Sequence, residues 1–221
     1  MDVDALLGPT RSPGTPEVRA ILATTLFGSL TRGGTSGPLG NANDAALLAR
    51  LRDWADCVLV GAGTVRAEGY GYCPTPIAVA TTSLRLDPAS TLFDGAVLIL
   101  CPDASLHDAT LAPRRDQLRA AGADIVGTGS GSAAEILRAL RARGHARVSC
   151  EGGPSLYSAL LAEDLVDVLH VTVDPSVSGE DGPAGVGYRG QLRRFALEEA
   201  RADEDSMLFC RYRRLRGGAA D

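Results

Sequence analysis

No run of apolar residues is long enough to cross a bilayer, and no basic segment followed by an apolar core stands near Met1. Both absences make the cytoplasm the expected compartment and leave no membrane partner. The five cysteines (Cys57, Cys73, Cys101, Cys150, Cys210) form no Cys-x-x-Cys, and the three histidines (His107, His145, His170) stand apart. A metal site is therefore not expected, and the odd, scattered thiols fit a reducing compartment. Aromatic residues make up only 5% of the chain, so the core has to be built from Ala, Val, Leu and Ile. A formal charge of −5 gives no basic surplus for nucleic acid. Arginine far outnumbers lysine, which carries no functional reading by itself. The Walker sequence is missing, which excludes ordinary NTP hydrolysis. Also missing is Gly-x-Gly-x-x-Gly in a βαβ unit with an acid beyond it, so an ordinary Rossmann reading fails.

What is present suits a globular α/β chain. Of 221 residues, 45% are hydrophobic and 22% charged, enough for one domain of this class or two small ones. Residues 1–16, with Gly8-Pro9 and Pro13-Gly14, read as an extended or loosely packed arm. From residue 17 onward, strand and helix signals alternate. Strands are expected at Val18–Leu26, Cys57–Val60, Pro76–Ala80, Ala96–Cys101, Asp124–Val126, Arg147–Cys150, Val166–Val173 and Met207–Leu215. Asn41 or Asn43 can cap a helix from about Asp44 to Asp53, with Leu47, Leu48 and Leu51 on its apolar face. Pro113 opens another helix, and Ser132 with Glu135 forms a capping box for a third. This alternation predicts a mainly parallel sheet covered on both faces. The last two expected strands lack a helix between them, which suits an antiparallel edge. Residues 27–41 and 174–190 read as long Gly-rich loops, the first functional or mobile, and the last residues as a polar tail. One domain over residues 17–221 is expected.

Two glycine turns carry the functional signal. Val60-Gly61-Ala62-Gly63-Thr64 and Cys150-Glu151-Gly152-Gly153-Pro154-Ser155 each follow a buried strand and precede a helix, with Thr64 placed to cap the first. Glycines let the backbone approach a ligand, and helix starts present N–H groups to an anion. Each turn alone is equally a tight βα connection with no ligand. Together, at one carboxyl edge, they suit a pyrophosphate-containing cofactor. Thr81-Thr82-Ser83 and Arg85 lie at a third strand end and can hold a further phosphate.

Residues 51–68, Leu-Arg-Asp-Trp-Ala-Asp-Cys-Val-Leu-Val-Gly-Ala-Gly-Thr-Val-Arg-Ala-Glu, resemble the central motif of the reductase domain of riboflavin biosynthesis. So do residues 150–156 with Leu160-Leu161 and Leu165-Val166-Asp167. The resemblance spans about residues 17–215. It is strongest to the stand-alone pyrimidine reductases, which share Arg66-Ala67-Glu68-Gly69-Tyr70-Gly71. It implies a dihydrofolate-reductase-like, three-layer α/β fold, NADPH as hydride donor, and a homodimer. The implied acceptor is a ribosylamino-pyrimidine phosphate whose ribose imine carbon is reduced. On this resemblance Gly61, Ala62, Gly63, Thr64, Gly152, Gly153, Pro154, Ser155 and Leu156 line NADPH, with Thr82 and Ser83 by its adenosine phosphate. The zinc-deaminase half of the bifunctional enzymes is absent.

Asp44 is the candidate proton carrier, or else an acid favoured at a helix start by the macrodipole. Related chains carry Ser-x-Asp-Gly after the first strand, where this one reads Thr25-Leu26-Phe27-Gly28. Thr25, Phe27, Asn41 and Glu151 are expected on the substrate side. An apolar Phe27 raises three alternatives: a less polar acceptor in specialised metabolism, a non-catalytic NADP-binding member, or neutral change at a turn. Glu151 is expected to bond backbone amides beside the second turn, and Glu68 and Arg66 to pair with each other or with neighbours. His170 reads as a packed or edge histidine. The arginines of residues 211–216 read as a solvated edge.

Overall fold

A computed structural model describes residues 1–177, 187 and 190–216. The Gly/Pro loop expected at 174–190 lies mostly outside that set, as does the end of the polar tail. In chain order the elements are α1 (Val3–Leu7), β1 (Glu17–Thr25), α2 (Ala42–Trp54), β2 (Cys57–Gly61), α3 (Ala62–Glu68), β3 (Ile77–Ala80), β4 (Val97–Cys101), α4 (Asp103–His107), α5 (Ala112–Ala120), β5 (Asp124–Gly127), α6 (Ala133–Arg141), β6 (Arg147–Cys150), α7 (Pro154–Ala162), β7 (Val168–Asp174), β8 (Phe195–Ala202) and β9 (Leu208–Arg214).

The strands form one sheet in the order β5-β4-β3-β2-β6-β1-β7-β9-β8. Pairings from β5 to β7 are parallel, and β9 runs antiparallel to both β7 and β8. The sheet is mainly parallel with an antiparallel C-terminal edge, as the alternation of elements predicts. One face packs on α6 and α7 through Leu137, Leu140, Tyr157 and Leu160. The other face carries α3 and α5 over β2–β4, and α1 and α2 over Ile21 of β1 and Phe209 of β9. Layers on both faces explain why β2 and β4 read as unbroken apolar runs.

The amino-terminal arm is not loosely packed. Asp2 caps α1 by accepting from the Asp4 and Ala5 amides, and Leu6 and Leu7 are buried against α2 and Trp54. Two buried arginines close its carboxyl end. Arg19 donates to the Leu7 and Pro9 carbonyls (both 2.6 Å), and Arg211 to those of Ala5 (2.7 Å) and Leu6 (2.9 Å). These carbonyls have no partner within the helix, and sequence reading does not find them because the donors lie far along the chain.

The arginine-rich strand β9 is not the edge. It is flanked by β7 and β8, and Phe209 and Arg211 face the core beneath α1. The edge is β8, Phe-Ala-Leu-Glu-Glu-Ala-Arg-Ala, whose mostly exposed residues show no buried alternation for a sequence to reveal. His170 lies in the sheet interior on β7, where burial holds its pKa down to about 3, helped by the Arg19, Arg211 and Arg213 charges.

Candidate active site

The two glycine turns are neighbours. Strands β2 and β6 pair directly, and the Gly61 amide donates to the Gly152 carbonyl at 2.7 Å. Helix α3 leaves β2 toward one face of the sheet, and α7 leaves β6 toward the other. Adjacent parallel strands whose following helices diverge open a crevice at their carboxyl ends. Both helix starts point into it, with amides that have no intrahelical acceptor.

The second glycine turn has no room for side chains. A Cβ on Gly153 would stand 2.6 Å from Thr64 Oγ1. On Gly152, at φ +97°, a Cβ would stand 2.7 Å from the Tyr157 ring. The Gly152–Gly153 peptide is cis. Thr64 does not cap α3, because Gly61 occupies the cap and Thr64 lies in the first turn, with its hydroxyl against Gly153.

A cavity of about 1050 Å³ opens from the crevice toward α2. Gly61, Gly63, Thr64, Gly152, Gly153, Pro154, Ser155, Leu156, Asn41, Asp44 and Glu151 all line it. Ala62, Thr25, Phe27, Thr82 and Ser83 do not. Ala62 is buried in the cluster under α3. Thr25 is buried, with Oγ1 accepting from the Ser29 amide (3.0 Å), whereas Phe27 is 82% exposed in the turn after β1. Thr82 and Ser83 follow β3, one strand along from the first turn. Arg114 donates to the Ser83 carbonyl (2.9 Å) and Arg66 to that of Arg85 (2.8 Å). The 27–41 loop supplies Leu30, Thr31, Ser36 and Gly37 to the cavity wall.

Helix α2 presents Asp44, Leu48 and Arg52 to the cavity, four residues apart. Asn41 starts the helix: its Oδ1 accepts from the Asn43 (3.0 Å) and Asp44 (3.2 Å) amides, and its Nδ2 donates to Asp203 and Asp205. Asp44 Oδ1 accepts from the Thr172 hydroxyl at 2.6 Å. Burial raises the Asp44 pKa above the usual carboxylate range, and the Thr172 hydrogen bond offsets part of that rise.

Glu151 does not bind backbone amides. Its carboxylate accepts from Arg52 Nε (2.7 Å) and Nη2 (2.6 Å), and from the Tyr70 hydroxyl (2.8 Å). This group ties α2, the segment after α3 and the second glycine turn together across the floor of the cavity. Sequence reading left Arg52 and Tyr70 without a role; both stand inside the longer motif, the only signal that marks them. Glu68 and Arg66 do not pair with each other. Glu68 accepts from the Ser36 amide (2.8 Å), which fastens the 27–41 loop to α3.

The RibD C-terminal domain family profile matches residues 16–209. The chain belongs to that family. A pyrimidine reductase-like protein from Corynebacterium diphtheriae has a similar structure. The two share 30% identity and a TM-score of 0.82, over 91% of this chain and 93% of the other. The deaminase/reductase of Thermotoga maritima is similar at 21% identity and TM-score 0.73, covering 91% of this chain and 57% of that longer one. The 2,5-diamino-6-ribosylamino-4(3H)-pyrimidinone 5′-phosphate reductase of Archaeoglobus fulgidus is 25% identical over 182 residues, 71% of this chain and 78% of the relative. The match to the Thermotoga protein shows the fold, and with it the dihydrofolate-reductase-like arrangement. In this RibD-type domain the thiols of Cys57 and Cys150 are pushed up to about 12 by burial, so neither is a nucleophile at neutral pH. No metal-ligand cluster occurs among the described residues.

Proposed function

We propose that the chain is an NADPH-dependent pyrimidine reductase of riboflavin biosynthesis, acting on the ribose imine carbon of a ribosylamino-pyrimidine 5′-phosphate. The coarser statement, that it is an oxidoreductase, follows from its family and its reductase relative. The observation that carries the finer reading is the pair of glycine turns joined by the Gly61–Gly152 hydrogen bond at the cavity wall, with open space over Gly63. Gly61, Gly63, Thr64, Gly153, Ser155 and Leu156 would hold the cofactor. Bound there, NADPH supplies the hydride, and the protein's part is orientation and proton supply. The loop at Thr82, Ser83 and Arg85 lies outside the cavity, one strand along, with Arg66 and Arg114 bonded to its carbonyls; a phosphorylated adenosine ribose would have to extend beyond the cavity to meet it.

Reduction of an imine adds a hydride to carbon and a proton to nitrogen. Asp44 would hold that proton; its position in the cavity lining, its burial and its raised pKa support this role. Phe27 is exposed and does not line the cavity, which supports the pathway acceptor over a less polar one. A homodimer is part of the same reading and rests on the family resemblance alone, whereas a cytoplasmic location rests on the scattered free thiols. Steady-state NADPH oxidation with the ribosylamino-pyrimidine phosphate tests it. Turnover is expected, and Asp44→Asn should lower kcat by roughly 100-fold or more. NADPH binding without turnover of this acceptor would point to a different substrate.

A further inference from the structure

We propose that Thr172 is a positioning residue for the reaction, holding the Asp44 carboxyl in one orientation and limiting its affinity for the proton. The inference rests on the reading of Asp44 as proton carrier. Thr172 sits on β7 in register with Ala23 of β1, a cavity-lining residue. It is 1% exposed, and its hydroxyl donates to Asp44 Oδ1 at 2.6 Å. On the other side, a Cβ at Gly40 would stand 2.6 Å from Asp44 Oδ2. The backbone at Gly40 and the hydroxyl on β7 thus confine the carboxyl from two sides. With Oδ1 accepting from Thr172, the proton that Asp44 carries belongs on Oδ2, beside Gly40 at the cavity wall.

The charges around this pair are already engaged. On the same face of the sheet, Arg19 of β1 pairs with Glu17 (3.3 Å), Arg211 of β9 with Glu198 (3.1 Å) and Asp174 of β7 with Arg32 (3.0 Å). His170 of β7 stays neutral at working pH. In the cavity Arg52 and Glu151 bind each other, and Glu68 accepts from Ser36. Asp203, beyond the helix start, accepts from Asn41 and Asn43. Burial and the Thr172 hydroxyl are the two influences on Asp44, and they act in opposite directions. A donated hydrogen bond favours the carboxylate. Its loss therefore raises the proton affinity and frees the carboxyl to rotate.

The test is a carbon-13 NMR titration of the Asp44 carboxyl in the whole protein, assigned against Asp44→Asn. This readout needs no substrate. In Thr172→Val the midpoint should move up by about one pH unit, and Thr172→Ser should restore it. Thr172→Ala serves in place of valine where valine perturbs folding, as judged by thermal unfolding. The rate data should follow. Thr172→Val lowers kcat about 10-fold with the KM for NADPH unchanged, and the alkaline limb of its pH profile moves up with the midpoint. An unmoved midpoint in Thr172→Val overturns the proposal. An Asp44→Asn enzyme of undiminished kcat overturns the reading of Asp44 itself, a separate result from the titration.

Discussion

At Gly152 a single methyl group should be felt in both folding and binding. The residue has φ +97°, and a Cβ there would overlap the ring of Tyr157, whose hydroxyl donates to the Ile21 carbonyl. Gly152→Ala is expected to destabilise the fold by about 1–3 kcal/mol, read as a lower denaturation midpoint in urea at unchanged m-value. The neighbouring residues show how far single positions were legible. The glycines are legible because only a residue without Cβ fits such a turn. Glu151 is not legible in this way, because its partners Arg52 and Tyr70 lie 99 and 81 residues away along the chain, and no local pattern marks a pairing of that span. Thr172 was not singled out at all, since a threonine in an apolar strand reads as ordinary strand composition.

At the scale of elements, α1 is the segment whose role changed most. Proline and glycine in its neighbourhood suggested an arm, yet Arg19 and Arg211 cap its carboxyl end from the sheet below. Arg211→Met should leave those carbonyls without a donor. Amide exchange in residues 3–7 is expected to rise, together with a loss of about 1–3 kcal/mol in stability, while NADPH affinity stays the same. Exchange unchanged in α1 would mean that apolar packing of Leu6 and Leu7 alone holds it. Elements with local signals were legible in outline. The Ser132–Glu135 capping box forms as expected, and α2 begins at the Asn41 cap. Strand β8 was missed because an exposed edge strand has no apolar alternation. Its existence depends on β9 lying beside it, and that is a tertiary fact.

For the whole molecule, the buried His170 sets a pH dependence of stability. The unfolded chain takes up this proton near pH 6.5, whereas the folded chain does so only near pH 3. Below pH 6.5 the unfolded state binds more protons, so stability is complete above that value and falls as the pH drops toward 3. Between pH 6.5 and 5 the loss from this residue should be roughly 2 kcal/mol. Thermal unfolding at both pH values checks it, and His170→Gln should flatten that part of the curve. The overall architecture was legible because alternation of strands and helices constrains topology strongly. The crevice was legible in kind, since two glycine turns end parallel strands. Their adjacency is expected only through the parallel sheet, because β2 and β6 lie some ninety residues apart and the sheet order is what brings them together.

That adjacency is the centre of the functional account, and cofactor binding tests it most directly. Titration of the protein with NADPH, followed by the cofactor's fluorescence, should show one saturable site of micromolar affinity. Gly153→Val, which drives a side chain into Thr64 and the crevice, should weaken binding at least about 10-fold, roughly 1.4 kcal/mol, with the fold retained by circular dichroism. No saturable NADPH binding, or binding that Gly153→Val leaves untouched in a folded protein, would contradict the account.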